Sequence, residues 1–305
     1  MLQSTVAFFI FNRPEVTRCV FERIAAARPQ RLLVVADGPR LNRKGESNRC
    51  GEVRKIIDAV DWPCEVLLNY SDVNLGCRQR LSTGLDWVFQ VASEAIILED
   101  DCLPDPTFFP YVQELLDRFR HDTRVMAITG SCFHPRHLVG TDSYYFSRFF
   151  HCWGWGTWRR AWNHYDETLT AWTGDDTPDW LAEALDKDPA AIRYWQRIFD
   201  SVKAQQIDTW DYQFSYACLS QHGLCAMPAE NLISNCGFHA DATHTKEVGN
   251  HLANLPLKSL RWPLRHAAPI PSRCVDRWSM ANLFADPRPS FFQRACRTFT
   301  KIFKS

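Results

Sequence analysis

The chain has 305 residues, and its 35 lysines and arginines balance 35 aspartates and glutamates, so the formal net charge is zero. This length is enough for one large or two small domains, and the neutral balance gives no indication of nucleic-acid binding. The 12 cysteines are scattered without a Cys-x-x-Cys pair and no run reaches the ~18 apolar residues of a spanning helix, which predicts a soluble cytoplasmic protein with reduced thiols.

Apolar runs of strand length alternate with amphipathic helices over residues 6–128. The predicted strands cover residues 6–11, 31–36, 65–68, 95–98 and 125–128. Apolar residues recur on one helical face at residues 16–24, 53–60, 81–89 and 108–119. Continuously apolar strands that alternate with such helices predict an α/β fold whose parallel sheet is covered on both faces.

Polar segments follow three of these strands directly. Asn12-Arg13 comes after the first strand, Asp37-Gly38 after the second, and Glu99-Asp100-Asp101 after the fourth. Ligands of such sheets bind outside the carboxyl ends of the strands, so the three segments together predict one nucleotide-type site. The Gly-x-Gly-x-x-Gly and Walker A patterns are absent, which disfavours a plain dinucleotide or P-loop site.

The acidic segment Glu99-Asp100-Asp101 has a further implication. Three consecutive carboxylates repel one another, and a fold places them at an open strand end when a positive group is held there. Mg²⁺ and Mn²⁺ prefer oxygen ligands and combine one or two carboxylates with substrate phosphates. The segment therefore predicts a metal that grips a diphosphate, and a solvated acidic turn is the alternative.

Aromatic residues and glycines are dense in residues 149–158. Aromatic faces stack on sugars and pyrimidines, and glycine lets the backbone approach a ligand. Trp153 and Trp155, which flank Gly154, are therefore candidate ligand contacts. The alternative for both tryptophans is a place in the hydrophobic core.

Two features follow in the next hundred residues. Residues 183–205 predict a helix with a break at Asp188-Pro189. Asp211 lies among aromatic residues, where partial desolvation suits a general base. From spacing alone, however, the N-cap of the helix that starts there is the favoured interpretation of Asp211.

The remaining signals are weaker. His239, Asp241 and His244 are candidates for a further ligand to the same metal, or for ordinary hydrogen bonds in a loop. Residues 288–305 carry arginines and lysines interleaved with apolar residues, and no acid. This pattern predicts a basic amphipathic helix in peripheral contact with an anionic membrane, and it is equally typical of a helix docked on the domain or a disordered end.

Taken together, the motifs Phe11-Asn12-Arg13-Pro14-Glu15, Asp37-Gly38, Glu99-Asp100-Asp101, Phe149-Phe150 with Trp153-Gly154-Trp155, and Trp210-Asp211 resemble those of a GT-A fold glycosyltransferase. The chain is similar, over roughly residues 5–245, to the N-acetylglucosaminyltransferase I family and its bacterial relatives. The resemblance implies a mostly parallel, Rossmann-like nucleotide-binding sheet flanked by helices, with an α+β acceptor-side half.

The resemblance also implies roles for individual residues. Asp101 would be the direct ligand of Mn²⁺ or Mg²⁺ and Asp211 the catalytic base, although the family's Trp-Asp-Asp is Trp210-Asp211-Tyr212 here. His244 is the second predicted metal ligand. The predicted nucleotide-sugar contacts are Phe11, Asn12, Arg13, Asp37, Arg78, Glu99, Asp100, Trp153 and Trp155.

The sequence thus predicts a metal-dependent, inverting glycosyltransferase with a UDP-sugar donor and a glycan or lipid-linked glycan acceptor. The alternatives are a catalytically inactive nucleotide- or sugar-binding module of the same fold, a nucleotidyltransferase and a retaining transferase. We expect residues 1–135 to bind the nucleotide-sugar, residues 136–250 to form the acceptor and catalytic half, and residues 251–305 to be a C-terminal extension. The expected location is the bacterial cytoplasm, facing the inner leaflet.

Overall fold

The structure is a computed structural model, and it describes residues 1–237 and 252–284. The strands of the main sheet and of a small two-stranded sheet are β1 (Val6–Ile10), β2 (Arg31–Ala36), β3 (Glu65–Tyr70), β4 (Glu94–Glu99), β5 (Cys102–Pro104), β6 (Val125–Thr129), β7 (Tyr144–Ser147), β8 (Trp155–Trp158), β9 (Leu224–Pro228) and β10 (Ile233–Asn235). The helices are α1 (Pro14–Ala27), α2 (Glu46–Ile56), α3 (Cys77–Val91), α4 (Phe108–Phe119), α5 (Arg159–Trp162), α6 (Asp179–Ala184), α7 (Pro189–Lys203), α8 (Asp211–Ser220) and α9 (Arg273–Asn282). The five predicted strands and the helices between them are confirmed, with shifts of a few residues at their ends.

Over the described residues, the main sheet has eight strands in the order β3-β2-β1-β4-β8-β6-β9-β7. Strands β1 to β4 are parallel, with Phe8 opposite Val34 on one side and Leu98 on the other. Strand β8 runs antiparallel between β4 and β6, and β7 runs antiparallel on the edge. The sheet is therefore mostly parallel, as predicted, with two reversed strands.

Helices cover both faces of this sheet, as predicted. Alternate residues of β1 point to opposite faces, so Phe8 belongs to one hydrophobic cluster and Phe9 to another. The first cluster includes Val20 and Ile24 of α1, and the second includes Leu85 of α3. Because all five residues of β1 are buried, both faces hold the strand in register.

The predicted break in the helix over residues 183–205 is confirmed. Helix α6 ends at Ala184 and α7 begins at Pro189. The Asp188 carboxylate accepts hydrogen bonds from the backbone N–H groups of Ala190 and Ala191, so Asp188 is the N-cap of α7 and Pro189 its first residue.

The segment 252–284 packs on the body of the protein. Leu260 and Leu264 are buried in the first cluster, and Val275 of α9 is buried in the second. Among the described residues, no helix has the length and apolar character needed to span a membrane, and every described cysteine is a free thiol. The predictions for His239, Asp241, His244 and residues 288–305 fall outside the described residues.

Candidate functional site

A cavity of about 290 Å³ opens at the carboxyl ends of β1, β2 and β4, where the sequence predicted a ligand site. Most of the predicted site residues line this cavity. They are Phe11, Arg13, Asp37, Glu99, Asp100, Asp101, Trp153 and Asp211. We refer to it as the acidic cavity, because carboxylates dominate its lining.

Arg13 joins two of these carboxylates. Its guanidinium forms an ion pair with Asp100 and another with Asp101, the latter with Nη1 3.0 Å from Oδ2. Asp100, which is almost fully buried, also accepts a 3.1 Å hydrogen bond from the backbone N–H of Phe11. These contacts fasten the end of β1 to the end of β4. They hold a guanidinium where an anionic ligand can meet it.

Glu99 has more negatively charged than positively charged neighbours. It makes no ion pair with any residue that the structure describes. Burial and the negative charges of Asp101 and Asp100 raise the pKa of Glu99 to about 8. The ionised form of a carboxyl group in this position is the one that an incoming cation stabilises most.

Asp101 is held by the small sheet of β5 and β10. The backbone carbonyl of Asp101 accepts a 2.9 Å hydrogen bond from Cys236, just beyond β10. A methyl group on Gly237 would overlap Oδ2 of Asp101 and lie 2.8 Å from Nη1 of Arg13. Gly237 thus leaves room for the Asp101 carboxylate, and neither Cys236 nor Gly237 was anticipated from the sequence.

Asp37 lines the cavity, but its oxygens are used within the protein. Oδ1 accepts from the backbone N–H groups of Gly38 and Leu75, and Oδ2 accepts from Gly76 and from the Asn74 side chain. Burial raises the pKa of Asp37 despite these hydrogen bonds. The carboxylate therefore organises the loop before α3, which forms part of the cavity wall.

Asn12 does not line the cavity. Its Nδ2 donates a 2.8 Å hydrogen bond to Oε1 of Glu46, a fully buried carboxylate that also pairs with Arg40. Arg40 does line the cavity, and its guanidinium lies 5.4 Å from the ring centre of Phe11. Sequence reasoning missed Arg40 and Glu46, because neither the loop before α2 nor the first turn of α2 carries a motif.

Asp211 is the first residue of α8, and Trp210 occupies the N-cap position. The Asp211 side chain forms no capping hydrogen bond and accepts one from the hydroxyl of Thr209. The N-cap interpretation is therefore wrong. Asp211 instead lines the acidic cavity, together with Thr209 and Trp210.

The two candidate tryptophans have different positions. Trp153 lines the acidic cavity. Trp155, in β8, is 1% exposed and stacks on Trp210 with ring centres 5.6 Å apart. Trp155 was expected to contact the ligand, but it belongs to the hydrophobic core, because its side chain is buried in the second cluster.

Arg78 also lies away from the cavity lining. Its Nε is 3.3 Å from Asp208 and 3.8 Å from Glu167, so it pairs with two carboxylates on the surface near α8. Arg80, two residues later, lines the cavity and donates to the carbonyl oxygen of Ala36. Arg80, and not Arg78, is therefore the arginine of α3 in the cavity lining, and only its position along the helix distinguishes the two.

Two thiols line the same cavity, namely Cys77 and Cys152. Burial, together with nearby carboxylates that include Glu99 and Asp211, raises the pKa of both thiols above the ordinary range. A nucleophilic or metal-binding thiolate is thus disfavoured here.

The charges of the lining residues do not balance. In the part of the chain that the structure describes, three lining arginines (Arg13, Arg40 and Arg80) face five lining acids (Asp37, Glu99, Asp100, Asp101 and Asp211). Within residues 1–237 and 252–284, no group of three or more His, Cys, Asp and Glu side chains is arranged as a complete metal cage. The cavity therefore has an excess of negative charge without an all-protein metal site.

No family model and no curated protein matches the chain. Among solved structures, the crystal structure of residues 1–349 of TarS from S. aureus is similar at a TM-score of 0.42 and 7% sequence identity. The alignment covers 76% of this chain and 59% of the TarS chain, so this chain spans less than two thirds of that structure. The similarity is distant, and the chemistry of the site follows from its own residues.

Proposed function

We propose that this protein is a metal-dependent glycosyltransferase that moves a sugar from a nucleotide-diphospho-sugar to a hydroxyl group of an acceptor. The observation that carries the proposal is the convergence of Arg13, Glu99, Asp101 and Asp211 on one cavity at the carboxyl ends of the strands. The GT-A resemblance assigns the same edge of the sheet to the donor.

The excess of carboxylates supports a divalent cation. A diphosphate brings further negative charge, so it would be repelled by this cavity unless a cation came with it. Mg²⁺ and Mn²⁺ are commonly held by one or two carboxylates plus substrate phosphates, which suits a lining that lacks a complete cage. Asp101 would hold the ion with Glu99 beside it, and the ion would stabilise negative charge on the departing diphosphate.

Arg13 has a role that follows from its ion pairs. A guanidinium binds phosphate oxygens with two parallel hydrogen bonds. Arg13 would bind the diphosphate in place of Asp101 if that carboxylate held a cation. The face of Trp153 offers a stacking surface to the sugar or the base of the donor.

Asp211 is the proposed general base. An acceptor hydroxyl is a poor nucleophile at neutral pH, and a carboxylate that takes its proton as the new bond forms lowers the barrier. The hydroxyl oxygen forms the bond to the anomeric carbon as the bond to the diphosphate breaks, so a single displacement inverts the anomeric centre. The Thr209 hydroxyl, which donates to Asp211, orients the carboxylate.

The finer assignments complete this proposal. UDP is the proposed nucleotide, a hexose or N-acetylhexosamine the proposed sugar, and a glycan or lipid-linked glycan the acceptor. Sugar transfer at the inner face of a bacterial membrane would be consistent with a lipid-linked acceptor. These assignments rest on the family resemblance, and a screen of nucleotide-sugars with Mn²⁺ by thermal shift would identify the donor.

The decisive experiment compares Asp211→Asn with Asp208→Asn. Both changes remove one negative charge beside α8, but Asp208 is 71% exposed and does not line the cavity. We expect Asp211→Asn to lower sugar transfer by 10²-fold or more, in the range of lost acid–base catalysis, with UDP binding nearly unchanged. Asp208→Asn should keep the wild-type rate. Transfer by Asp211→Asn at the wild-type rate would exclude Asp211 as the base.

A second experiment addresses the cation. Asp101→Ala should remove the Mn²⁺ dependence of UDP binding in calorimetric titrations. Identical titrations of wild type and variant, with and without Mn²⁺, would exclude the metal role. An inactive module of the same fold would bind UDP but release none from a donor incubated with Mn²⁺, which separates it from an enzyme.

A further inference from the structure

We propose that a second, larger cavity binds a phosphate group carried by an organic ligand. This basic cavity has a volume of about 660 Å³, within the range of small-molecule sites, and none of its lining residues is shared with the acidic cavity. Its charged lining is dominated by arginines. They are Arg148, Arg193, Arg197, Arg273 and Arg277.

The arginines come from three parts of the fold. Arg193 and Arg197 are one turn apart on α7, and Arg273 and Arg277 are one turn apart on α9. Arg148 directly follows β7. Because residues four apart share a helix face, each helix presents two guanidinium groups to the same cavity.

The acids of the basic cavity are already engaged. Asp186 lies 3.8 Å from Arg148 and 3.4 Å from Arg273. The Asp188 carboxylate caps α7. Asp276 accepts a 2.6 Å hydrogen bond from the Ser147 hydroxyl.

Two arginines are left with binding capacity. Arg193 and Arg277 form no ion pair with any residue that the structure describes, and both are exposed. Among the described residues that line the basic cavity, five arginines outnumber three aspartates, which leaves an excess of positive charge there. An anion that enters can therefore be bound without displacing an internal salt bridge.

The shape of the lining favours phosphate on an organic carrier. Guanidinium groups match phosphate oxygens bidentately, and several arginines around one cavity are typical of phosphate recognition. Beside them, Phe149, Leu185 and Met280 form an apolar wall. A sugar or other organic group attached to the phosphate would pack on this wall, which a free inorganic ion cannot use.

The opposite charges of the two cavities allow a clean measurement. The acidic cavity repels phosphate unless a divalent cation is present, whereas the basic cavity does not need one. Titration of inorganic pyrophosphate into the full chain in EDTA therefore reports on the basic cavity alone. This readout does not depend on the proposed transferase activity.

The test compares two double variants with equal charge changes. Arg193→Ala/Arg277→Ala removes two arginines of the basic cavity that form no ion pair with a described residue. Arg18→Ala/Arg23→Ala removes two exposed arginines of α1 that line neither cavity. We expect pyrophosphate to bind wild type and the α1 variant equally. The cavity variant should bind it about tenfold or more weakly, equivalent to about 1.4 kcal/mol, because two groups that form charge-assisted hydrogen bonds with phosphate are removed.

Two checks keep the result interpretable. Both double variants should unfold at the wild-type temperature and bind UDP with Mn²⁺ as wild type does, since neither removes an ion pair among the described residues. Failure of wild type to bind pyrophosphate in EDTA, or equal binding by the cavity variant, would overturn the proposal.

A final comparison identifies the carrier. Glucose 6-phosphate should bind more tightly than inorganic phosphate, because its organic part contacts the apolar wall, and glucose alone should not bind. Equal affinities for glucose 6-phosphate and inorganic phosphate would overturn the organic carrier and leave a site for the free ion.

Discussion

Gly237 lies against Asp101 so closely that any side chain at position 237 would overlap Oδ2 of the Asp101 carboxylate. Gly237→Ala should therefore displace this carboxylate and weaken Mn²⁺-dependent UDP binding by about tenfold or more, equivalent to about 1.4 kcal/mol. Calorimetric titration with and without Mn²⁺ measures the effect.

The matched control for Gly237→Ala is a double variant. Since both substitutions act on the same carboxylate, Gly237→Ala/Asp101→Ala should bind UDP no more weakly than Asp101→Ala. Additive losses would mean that Gly237 acts elsewhere in the site.

Two helical glycines should respond oppositely to the same substitution. A methyl group on Gly84 would lie 2.6 Å from the Phe9 ring and 2.7 Å from Val35, because α3 packs tightly on β1 and β2. Gly51, in α2, has no atom within 4 Å of that position. We expect Gly84→Ala to destabilise the protein by about 1–3 kcal/mol and Gly51→Ala to stabilise it by about 0.5–1 kcal/mol. Urea unfolding measures both, and equal effects would contradict the tight packing of α3.

Asp276 should make stability fall as the pH rises. Burial raises the pKa of Asp276 from 3.8 to about 6, so between these values the folded state keeps a proton that the unfolded state loses. Asp276→Asn removes this titration. Its stability relative to wild type should therefore increase by about 1–3 kcal/mol between pH 4 and pH 7. Chemical unfolding across this range measures the difference, and a constant difference would contradict the shift.

Glu46 should have the opposite dependence. Its hydrogen bonds from Arg40 lower the pKa of Glu46 from 4.5 to about 2, so it stabilises the folded state above pH 4.5 and loses this effect as the pH falls towards 2. Glu46→Gln should cost about 2–3 kcal/mol at pH 7, because an amide group would face the guanidinium. The gap between wild type and variant should narrow in acid, and a gap that widens there would refute this account.

The sequence was sufficient where one local signal determines the structure. Arg13, Asp37 and Asp101 follow the apolar runs of β1, β2 and β4. Because ligands bind at the carboxyl ends of parallel strands, the sequence predicted that these residues lie around one site, and all three line the acidic cavity. The break before Pro189 followed from the chemistry of proline and of a capping aspartate.

Other features depend on packing that no local pattern encodes. Trp153 and Trp155 lie in the same sequence surroundings, yet Trp153 lines the cavity and Trp155 stacks on Trp210 in the core. The direction of each side chain depends on how β8 pairs in the sheet, and the local sequence does not specify that pairing. Spacing alone favoured Asp211 as the N-cap of α8, whereas the family resemblance made it the catalytic base, and in the structure Trp210 takes the cap position.

The basic cavity could not be predicted from the sequence either. Its arginines are spread along the sequence from Arg148 to Arg277. They line one cavity because α9, in the segment 252–284, packs beside β7. A basic cluster of this kind has no signature in composition, since the net charge of the chain is zero.

Strand β8 lies between β4 and β6, so residues 155–158 complete a sheet whose neighbouring strands were synthesised first. A nascent chain that has left the ribosome only as far as β6 would expose one unpaired edge on β4 and both edges of β6, because β9, the other neighbour of β6, is also synthesised later. We therefore expect a truncation that ends before residue 155 to aggregate, and the shortest soluble fragment to contain β8.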